Sequence, residues 1–335
     1  MNKYCFCIDI GSKNIRIASQ SMEVLVDEPN VVAMQNQNKS YEAVAFGKEV
    51  YDYCMENPSS QLVYPIKNGI VYDANALVAI ISHFFDRIVK KTIFKKPYIS
   101  VIVGLSCGLT NIEKRAVEEV LSKCGAKEIV IVESPICAST IFDGNVKFLV
   151  DIGASKTEIA IVSDNGIIAG CSIDIGGDSI DNAITDYVSD KYRLLISPKN
   201  SEEIKCKLGS LVENDMSTIT IKGKAVFQNS VSDIKISALE LKPVIEGEVD
   251  KIIEVVEQIS LMIPEVYAES VLRQGFYFIG GSMHLQGLKE YLERKLCIKV
   301  IVPEFPELSV AKGGAKFFYD KVRLEKMLNV ENFDI

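Results

Sequence analysis

A strand ending in aspartate, then Ile-Gly, then a short polar turn into a second apolar strand, occurs twice in this chain. The first copy is YCFCIDIGSKNIRIAS, from Tyr4 to Ser19, and the second is FLVDIGASKTEIAIVS, from Phe148 to Ser163. Asp9-Ile10-Gly11 thus matches Asp151-Ile152-Gly153, at a separation too wide for a solenoid repeat. Small residues in such a turn let backbone N–H groups approach anionic oxygens. A carboxylate at the strand end can hold water on Mg²⁺, an ion that takes few protein ligands. Two such units therefore predict a duplicated fold with two phosphate loops. In the second copy Asn165-Gly166 predicts a hairpin, with Ile167 to Ile175 returning as a third strand. Taken alone, the second copy also reads as an ordinary hairpin with an Asp-Gly turn, and the alternative to a true repeat is coincidence between short, common tripeptides.

The 335 residues are enough for two domains or one large bilobal domain, and 48% hydrophobic with 24% charged residues predicts a sizeable core. A net charge of −8 argues against general nucleic-acid binding. Nine cysteines lack any CxxC pair, and His83 and His284 are the two histidines. That pattern predicts reduced, mostly buried thiols in a cytoplasmic protein. Cys5 and Cys7 share a strand face and read as core thiols rather than a metal pair, since no further ligands have zinc-site spacing. The N-terminus has no signal-peptide pattern, and no apolar run reaches the roughly 18 residues a spanning helix needs.

Along the chain, residues 24 to 75 read as short strands and turns, broken at Glu28-Pro29-Asn30 and at Asn57 to Ser60, and suit a small inserted subdomain. Leu77, Ile80, Ile81, Phe84, Phe85 and Ile88 repeat with helical period. Next, Ile93 and Phe94 stand between Lys90-Lys91 and Lys95-Lys96. Apolar residues between lysines suit insertion at an anionic membrane surface, and equally a loop folded back on the core. Thr110 to Glu113 is a capping box, and its helix ends at Gly125. A strand over 129–132 leads into Glu133-Ser134-Pro135. Asp178 or Ser179 is placed to cap a helix running to Tyr192. Helix 201–208, strands over 218–236 and an amphipathic helix over 248–263, closed by Pro264, follow. The strand Phe276 to Ile279 ends in Gly280-Gly281-Ser282. A helix near 285–296, a strand over 300–302 and a mostly helical stretch from 310 to 328 complete the chain.

Seven pieces in this order carry a resemblance. They are the first DIG loop, YPIKNGIVYD, GLTNIEKRAVEE, VDIGASKTEIAIVS, IDIGGDSIDNAI, KYRLLI with SEEIKCKLGS, and FIGGSMHLQGL. Together they resemble the actin/Hsp70/sugar-kinase ATPase superfamily and, within it, the MreB family of bacterial actins. The resemblance implies an α/β actin-like ATPase fold of two lobes, each a duplicated βββαβα core with a small insertion, clasping ATP and Mg²⁺. Lobe I would be residues 1–146, with its insertion at about 31–75 and helices 310–335 packed back on it. Lobe II would be 147–309, with its insertion at about 183–242.

By the same resemblance Asp9, Gly11, Ser12, Lys13 and Asn14 form the first phosphate loop, and Asp151, Gly153, Ala154, Ser155, Lys156 and Thr157 the second. Asp9 and Asp151 would hold Mg²⁺ through water. Glu202, Glu203 and Lys205 would lie at the adenosine, backed by Gly280, Gly281 and Ser282. The membrane-inserting loop of the family falls on Ile93 and Phe94, which favours the membrane reading of KKTIFKK.

Departures from the family pattern fall on the chemistry. The glutamate that orients the attacking water would stand directly before Pro135, where this chain has Ser134. Glu133, one residue earlier, would point the opposite way in an extended segment. Ala154, Ser155 and Lys156 replace Gly, Gly and Thr, and Lys156 could either meet the phosphates or fill their pocket. Lys13 and Ile15 stand where the family prefers small or hydroxylated residues, and Ser282 replaces a third glycine.

The resulting expectation is a membrane-associated, ATP-binding filament protein at the cytoplasmic face, organising cell shape and wall synthesis. Its partners would be itself, the membrane and membrane-bound shape or wall-synthesis proteins, not nucleic acid. Hydrolysis would be weak or absent, because losing a water-positioning group costs orders of magnitude in rate. The alternative is a pseudo-ATPase scaffold that binds partners or modulates other filaments. A chaperone-like ATPase or small-molecule kinase fits less well, because the chain carries no peptide-binding domain after the core and no convincing substrate aspartate.

Overall fold

The computed structural model describes residues 3–37, 40–90, 97–225 and 230–328. Its internal contacts divide the chain into two units. The first comprises Met1–Lys147, Ala160–Ser172 and Leu308–Ile335, the second Phe148–Ile159 and Ile173–Glu307.

The first unit opens with strands β1 (Lys3–Ile10), β2 (Asn14–Ser19) and β3 (Val24–Pro29), joined as an antiparallel meander. Strands β4 (Val32–Gln37) and β5 (Ser40–Phe46), helix α1 (Val50–Glu56) and strand β6 (Gln61–Val63) follow. They form a small sheet ordered β5-β4-β6, with its own core of Val31, Ala33, Ala45 and Val50. The sequence reading of this region lacks α1, whose seven residues are too few to display a helical period.

A short hairpin, β7 (Ile66–Lys67) and β8 (Ile70–Val71), leads to α2 (Ala74–Ile88), where Asp73 caps the helix by accepting from the Ala76 N–H at 2.9 Å. Strand β9 (Tyr98–Leu105), α3 (Asn111–Lys123), β10 (Ala126–Glu133) and α4 (Ser134–Ser139) complete this stretch. Strand β9 pairs in parallel with both β1 and β10, giving the order β10-β9-β1-β2-β3. Its near-continuous apolar run is the pattern of a parallel strand covered on both faces. Leu77, Ile80, Phe84 and Phe85 of α2 share one core with Phe6, Ile8, Val101 and Val103. Burial of each such side chain contributes about 1.5–3 kcal/mol.

Parallel pairing sets what happens at one edge of this sheet. Asp9 is level with Gly104 and Gly104 with Val132, so β1, β9 and β10 end side by side. The loop after β1 and the turn into α4 leave from that shared carboxyl edge.

Strands β11 (Val146–Ile152), β12 (Thr157–Ser163) and β13 (Gly166–Ile173) come next. The second unit continues with α5 (Gly177–Tyr192), β14 (Leu194–Leu195), α6 (Pro198–Leu208), β15 (Thr218–Ala225) and β16 (Val231–Ser237). After these come α7 (Ala238–Ser260), α8 (Glu265–Gln274), β17 (Phe276–Ile279), α9 (Leu288–Leu296) and β18 (Val300–Ile301). The second five-stranded sheet runs β13-β12-β11-β17-β18, with Asp151 level with Ile279 in the parallel β11–β17 pair. The chain then returns to the first unit as α10 (Ser309–Ala315) and α11 (Lys321–Leu328). The Thr140 hydroxyl donates to the Gly313 carbonyl at 2.7 Å, and Lys316 to the Thr140 carbonyl at 2.9 Å, fixing α10 beside α4.

Several local expectations need correction. The helix expected over 248–263 starts at Ala238, because Ser237 and Glu240 form a capping box ahead of it. Pro243 lies inside that helix, and Pro264 does more than close it, serving as N-cap of α8. Neither Asp178 nor Ser179 is the N-cap of α5, which begins after Gly176, with the Ser179 hydroxyl accepting from the Gly176 N–H. The helix expected from 201 begins at Pro198, after Ser197. The hairpin turn falls at Asp164-Asn165, and Gly166 opens β13. All nine cysteines are free, but only Cys7 and Cys137 are buried, while Cys206 and Cys297 are exposed. The rest sit at the edges of the core, so thiol content alone overstates burial.

Candidate functional site

The loop between β1 and β2 is closed by the Gly11 N–H, which donates to the Asn14 carbonyl at 3.0 Å. Asn30, fully buried, anchors it twice: its side-chain amide donates to the Gly11 carbonyl at 2.9 Å, its backbone N–H to the Lys13 carbonyl at 2.8 Å. The Gly69 N–H donates to the Ser12 hydroxyl at 3.4 Å, joining the loop to the β7–β8 turn. From sequence Asn30 reads only as part of a break. Its role depends on β3 returning beside β2.

Asp9 lies opposite Arg16 across β1 and β2, and Arg16 opposite Asp27 across β2 and β3. Directly opposed residues share a sheet face. Arg16 Nη1 is 3.6 Å from Asp9 Oδ2, and Nε is 3.0 Å from Asp27 Oδ1. Burial pushes the Asp9 carboxyl above its ordinary value, the Arg16 guanidinium pulls it down, and Asp27 pushes it up. Neither Arg16 nor Asp27 was expected at the site, since strand register cannot be read from spacing.

At the same edge, Ser134 opens α4 and is buried. A Cβ built on Gly104 would lie 3.5 Å from the Ser134 hydroxyl. The segment is not extended here: Glu133 ends β10 and the chain turns helical at once. Burial raises the Glu133 carboxyl, and both Lys114 and the Gly108 N–H offset it. Glu133 is thus engaged with the loop before α3.

The second loop repeats the first in its backbone. The Gly153 N–H donates to the Lys156 carbonyl at 2.9 Å, the same hydrogen bond that Gly11 makes to Asn14. The Gly153 carbonyl accepts from the Gly177 N–H at 3.0 Å and the Ser282 hydroxyl at 3.0 Å, while the Ala154 carbonyl accepts from the Asp178 N–H at 2.8 Å. The first N–H groups of α5 are therefore spent on the loop itself. Gly176 allows this approach, since a Cβ there would stand 2.5 Å from the Ala154 carbonyl oxygen. The buried Thr157 hydroxyl donates to the Ile175 carbonyl at 2.7 Å. Lys156 is ion-paired with Asp174 at 3.3 Å.

Gly280, at φ +91°, follows β17, and a Cβ there would stand 2.4 Å from both Asp151 Oδ1 and the Ile152 carbonyl. Only glycine lets this turn pass so close to the Asp151 carboxylate. Gly281 has open space where a Cβ would point. On α6, Lys205 donates to Asp181 at 2.8 Å and to the Gly177 carbonyl at 3.0 Å. A Cβ on Gly177 would meet Lys205 Nζ at 3.1 Å and Ser282 Oγ at 3.3 Å, so these three residues gather beside the second loop. Glu202 is half-buried on the same helix. Glu203 is exposed and pairs with Lys207 at 2.6 Å, on another face of α6. Asp181 lies inside the IDIGGDSIDNAI stretch, but its pairing with Lys205 follows from helix packing and not from that motif.

Among the described residues no cluster of three or more His, Cys, Asp or Glu side chains could cage a metal ion. A single carboxylate at a strand end, such as that of β1 or that of β11 taken separately, suits an ion such as Mg²⁺, which takes few protein ligands and keeps several waters. Asp151 against Gly280 fits that arrangement, and Asp9 fits it while sharing its charge with Arg16. Ile93, Phe94, Lys91, Lys95 and Lys96 lie outside the described residues, and Lys90 is exposed. No helix among the described residues is long and apolar enough to cross a membrane.

Comparison with known proteins matches residues 3–326 to the family described as MreB/Mbl protein. The cell shape-determining protein Mbl of Bacillus subtilis is 28% identical over 326 residues, covering 95% of this chain and 97% of the relative. The cell shape-determining protein MreB of Escherichia coli K12 is 28% identical over 318 residues, covering 92% and 91%. Among solved structures, MreB 5 of Spiroplasma citri bound to AMPPNP superposes with a TM-score of 0.87 at 24% identity, over 97% of this chain and 99% of that one. The MamK double helical filament gives 0.79 at 17% identity, over 95% and 99%. The fold is therefore the actin-like α/β fold of two lobes.

Proposed function

The chain belongs to the MreB/Mbl family of actin-like cell-shape proteins, and from that premise we propose that it is an ATP-binding, filament-forming protein at the inner face of the cell membrane, organising cell shape and wall synthesis with weak or absent hydrolysis. Nucleotide binding is supported by two Spiroplasma citri relatives, described as bound to AMPPNP and to ADP, and self-association by the MamK filament. We assign residues 1–146 with the C-terminal helices to lobe I and 147–309 to lobe II.

Ser134 carries the reading of the chemistry. A hydroxyl at the start of α4 cannot take a proton from water as a carboxylate can. Burial raises the Glu133 carboxyl and Lys114 and the Gly108 N–H offset it, and in this reading Glu133 does not stand in. In this reading the backbone of Gly11 to Asn14 and of Gly153 to Thr157 receives phosphate oxygens, and Glu202 and Lys205 flank the adenosine. Mg²⁺, when bound, would neutralise phosphate charge, with Asp9 and Asp151 holding its water.

Calorimetry with ATP and Mg²⁺ tests the first half: micromolar binding is expected, and its absence at millimolar ATP would refute a nucleotide-binding role. Phosphate release measured beside Ser134→Glu tests the second. The variant should exceed wild type by roughly tenfold or more. A wild-type rate equal to that of the variant would remove position 134 as the cause. The Lys156–Asp174 ion pair in the second loop favours one other reading, a pseudo-ATPase scaffold that modulates other filaments. The same calorimetry separates the two.

A further inference from the structure

Arg16 occupies an unusual place for a fixed cation. It stands on the middle strand of the β1–β2–β3 meander, one side chain from the first phosphate loop, and its side chain is only 12% exposed. Asp9 and Asp27 flank it in register at 3.6 and 3.0 Å. With the Asn14 amide oxygen turned toward it, Asn14 accepts from Arg16 Nη2 at 3.1 Å. One guanidinium thus grips the strand end before the loop, the last residue of the loop and the next strand. A guanidinium is charged at every physiological pH and matches carboxylate geometry.

We propose that Arg16 is the resident counter-ion of Asp9, so that this chain binds a nucleoside polyphosphate at its first loop without requiring a divalent cation. This rests on the nucleotide-binding reading above. Without Arg16, Asp9 and Asp27 would present two uncompensated carboxylates near incoming phosphates, and an added divalent ion would have to neutralise them. With Arg16 in place one of those two charges is already met by the protein. The ion pair also takes up one side of the Asp9 carboxylate, leaving less of it to orient metal-bound water. Such a site favours holding nucleotide over turning it over, in keeping with Ser134 at the same sheet edge.

The test is ATP binding to the full chain by calorimetry, in Mg²⁺ and again in EDTA, for wild type, Arg16→Leu and Arg16→Lys. Wild-type affinity should change by less than about threefold on chelation, whereas Arg16→Leu should weaken by about tenfold or more. Arg16→Lys should stay near wild type. A purely structural role would weaken both conditions equally and leave their ratio unchanged. If Arg16→Leu does not fold, the double variant Arg16→Leu, Asp27→Asn removes the cation together with one of its buried partners, and the same ratio is read on it. A wild-type loss of about tenfold on chelation, or an unchanged ratio in the leucine variant, overturns the inference but spares nucleotide binding. No binding in either condition overturns both.

Discussion

The Ser282 hydroxyl donates to the Gly153 carbonyl at 3.0 Å, joining the turn after β17 to the loop between β11 and β12 across 129 positions of sequence. A glycine at 282 would leave this contact unmade. In Ser282→Ala the Gly153 carbonyl keeps the Gly177 N–H, so no buried acceptor is orphaned. The expected loss is about 1 kcal/mol. Ser282→Gly should lose a further ~0.5 kcal/mol or more through backbone entropy. Urea denaturation should rank wild type above alanine above glycine, and an alanine variant as stable as wild type would show that the hydroxyl does not hold the loop.

Glu240, in the first turn of α7, accepts from the hydroxyls of Tyr192 at 2.8 Å and Tyr187 at 3.1 Å and pairs with Lys191. Burial pushes its carboxyl up, but Lys191, the Ser237 N–H and the two tyrosines outweigh it and bring the value from 4.5 down to about 2. A carboxylate depressed on folding adds stability that is complete above its unfolded value and is lost as pH falls toward its folded one. Glu240→Gln should therefore be less stable than wild type by about 2 kcal/mol at pH 7. That gap should shrink as pH falls from 4.5 toward 2. A gap that stays constant across this range would mean that Glu240 acts through packing rather than charge.

The proposed membrane association rests on the sequence KKTIFKK. Replacing Ile93 and Phe94 together by serine should abolish co-sedimentation with anionic vesicles while leaving ATP binding in place. Removing the flanking lysines should weaken it by roughly 1 kcal/mol each, with the effect fading at high salt. Vesicle binding by the serine variant equal to wild type would rule the segment out.

The backbone of the two Asp-Ile-Gly loops was legible because it rests on local chemistry. Asp-Ile-Gly at the end of an apolar strand marks both loops, and both fold with the same closing hydrogen bond, Gly11 to Asn14 and Gly153 to Lys156. Capping boxes are legible for the same reason, although the one at Ser237 and Glu240 lies well ahead of the amphipathic stretch that marks α7 in the sequence. Helix faces were partly legible. Glu202 and Lys205 are three apart and share a side of α6, but Glu203 turns to Lys207.

What the sequence by itself determined is most of the order of elements and the two matching Asp-Ile-Gly loops. These depend on residues close together in the chain, where period, turn chemistry and capping act over a few bonds. Only the tertiary structure decided what each charged group faces. Asp9 meets Arg16 because β1 and β2 pair in one register, and a shift of one residue would place them on opposite faces. Lys205 meets Asp181 because α5 and α6 pack, and Asn30 reaches Gly11 because β3 returns beside β2. Such contacts join distant positions through strand register and helix packing, which no short stretch of residues encodes. The loop between β11 and β12 illustrates both halves. Its residues announce an Asp-Ile-Gly turn between two strands, while the partners of Lys156 and Gly153 are set by where Asp174 and Ser282 arrive.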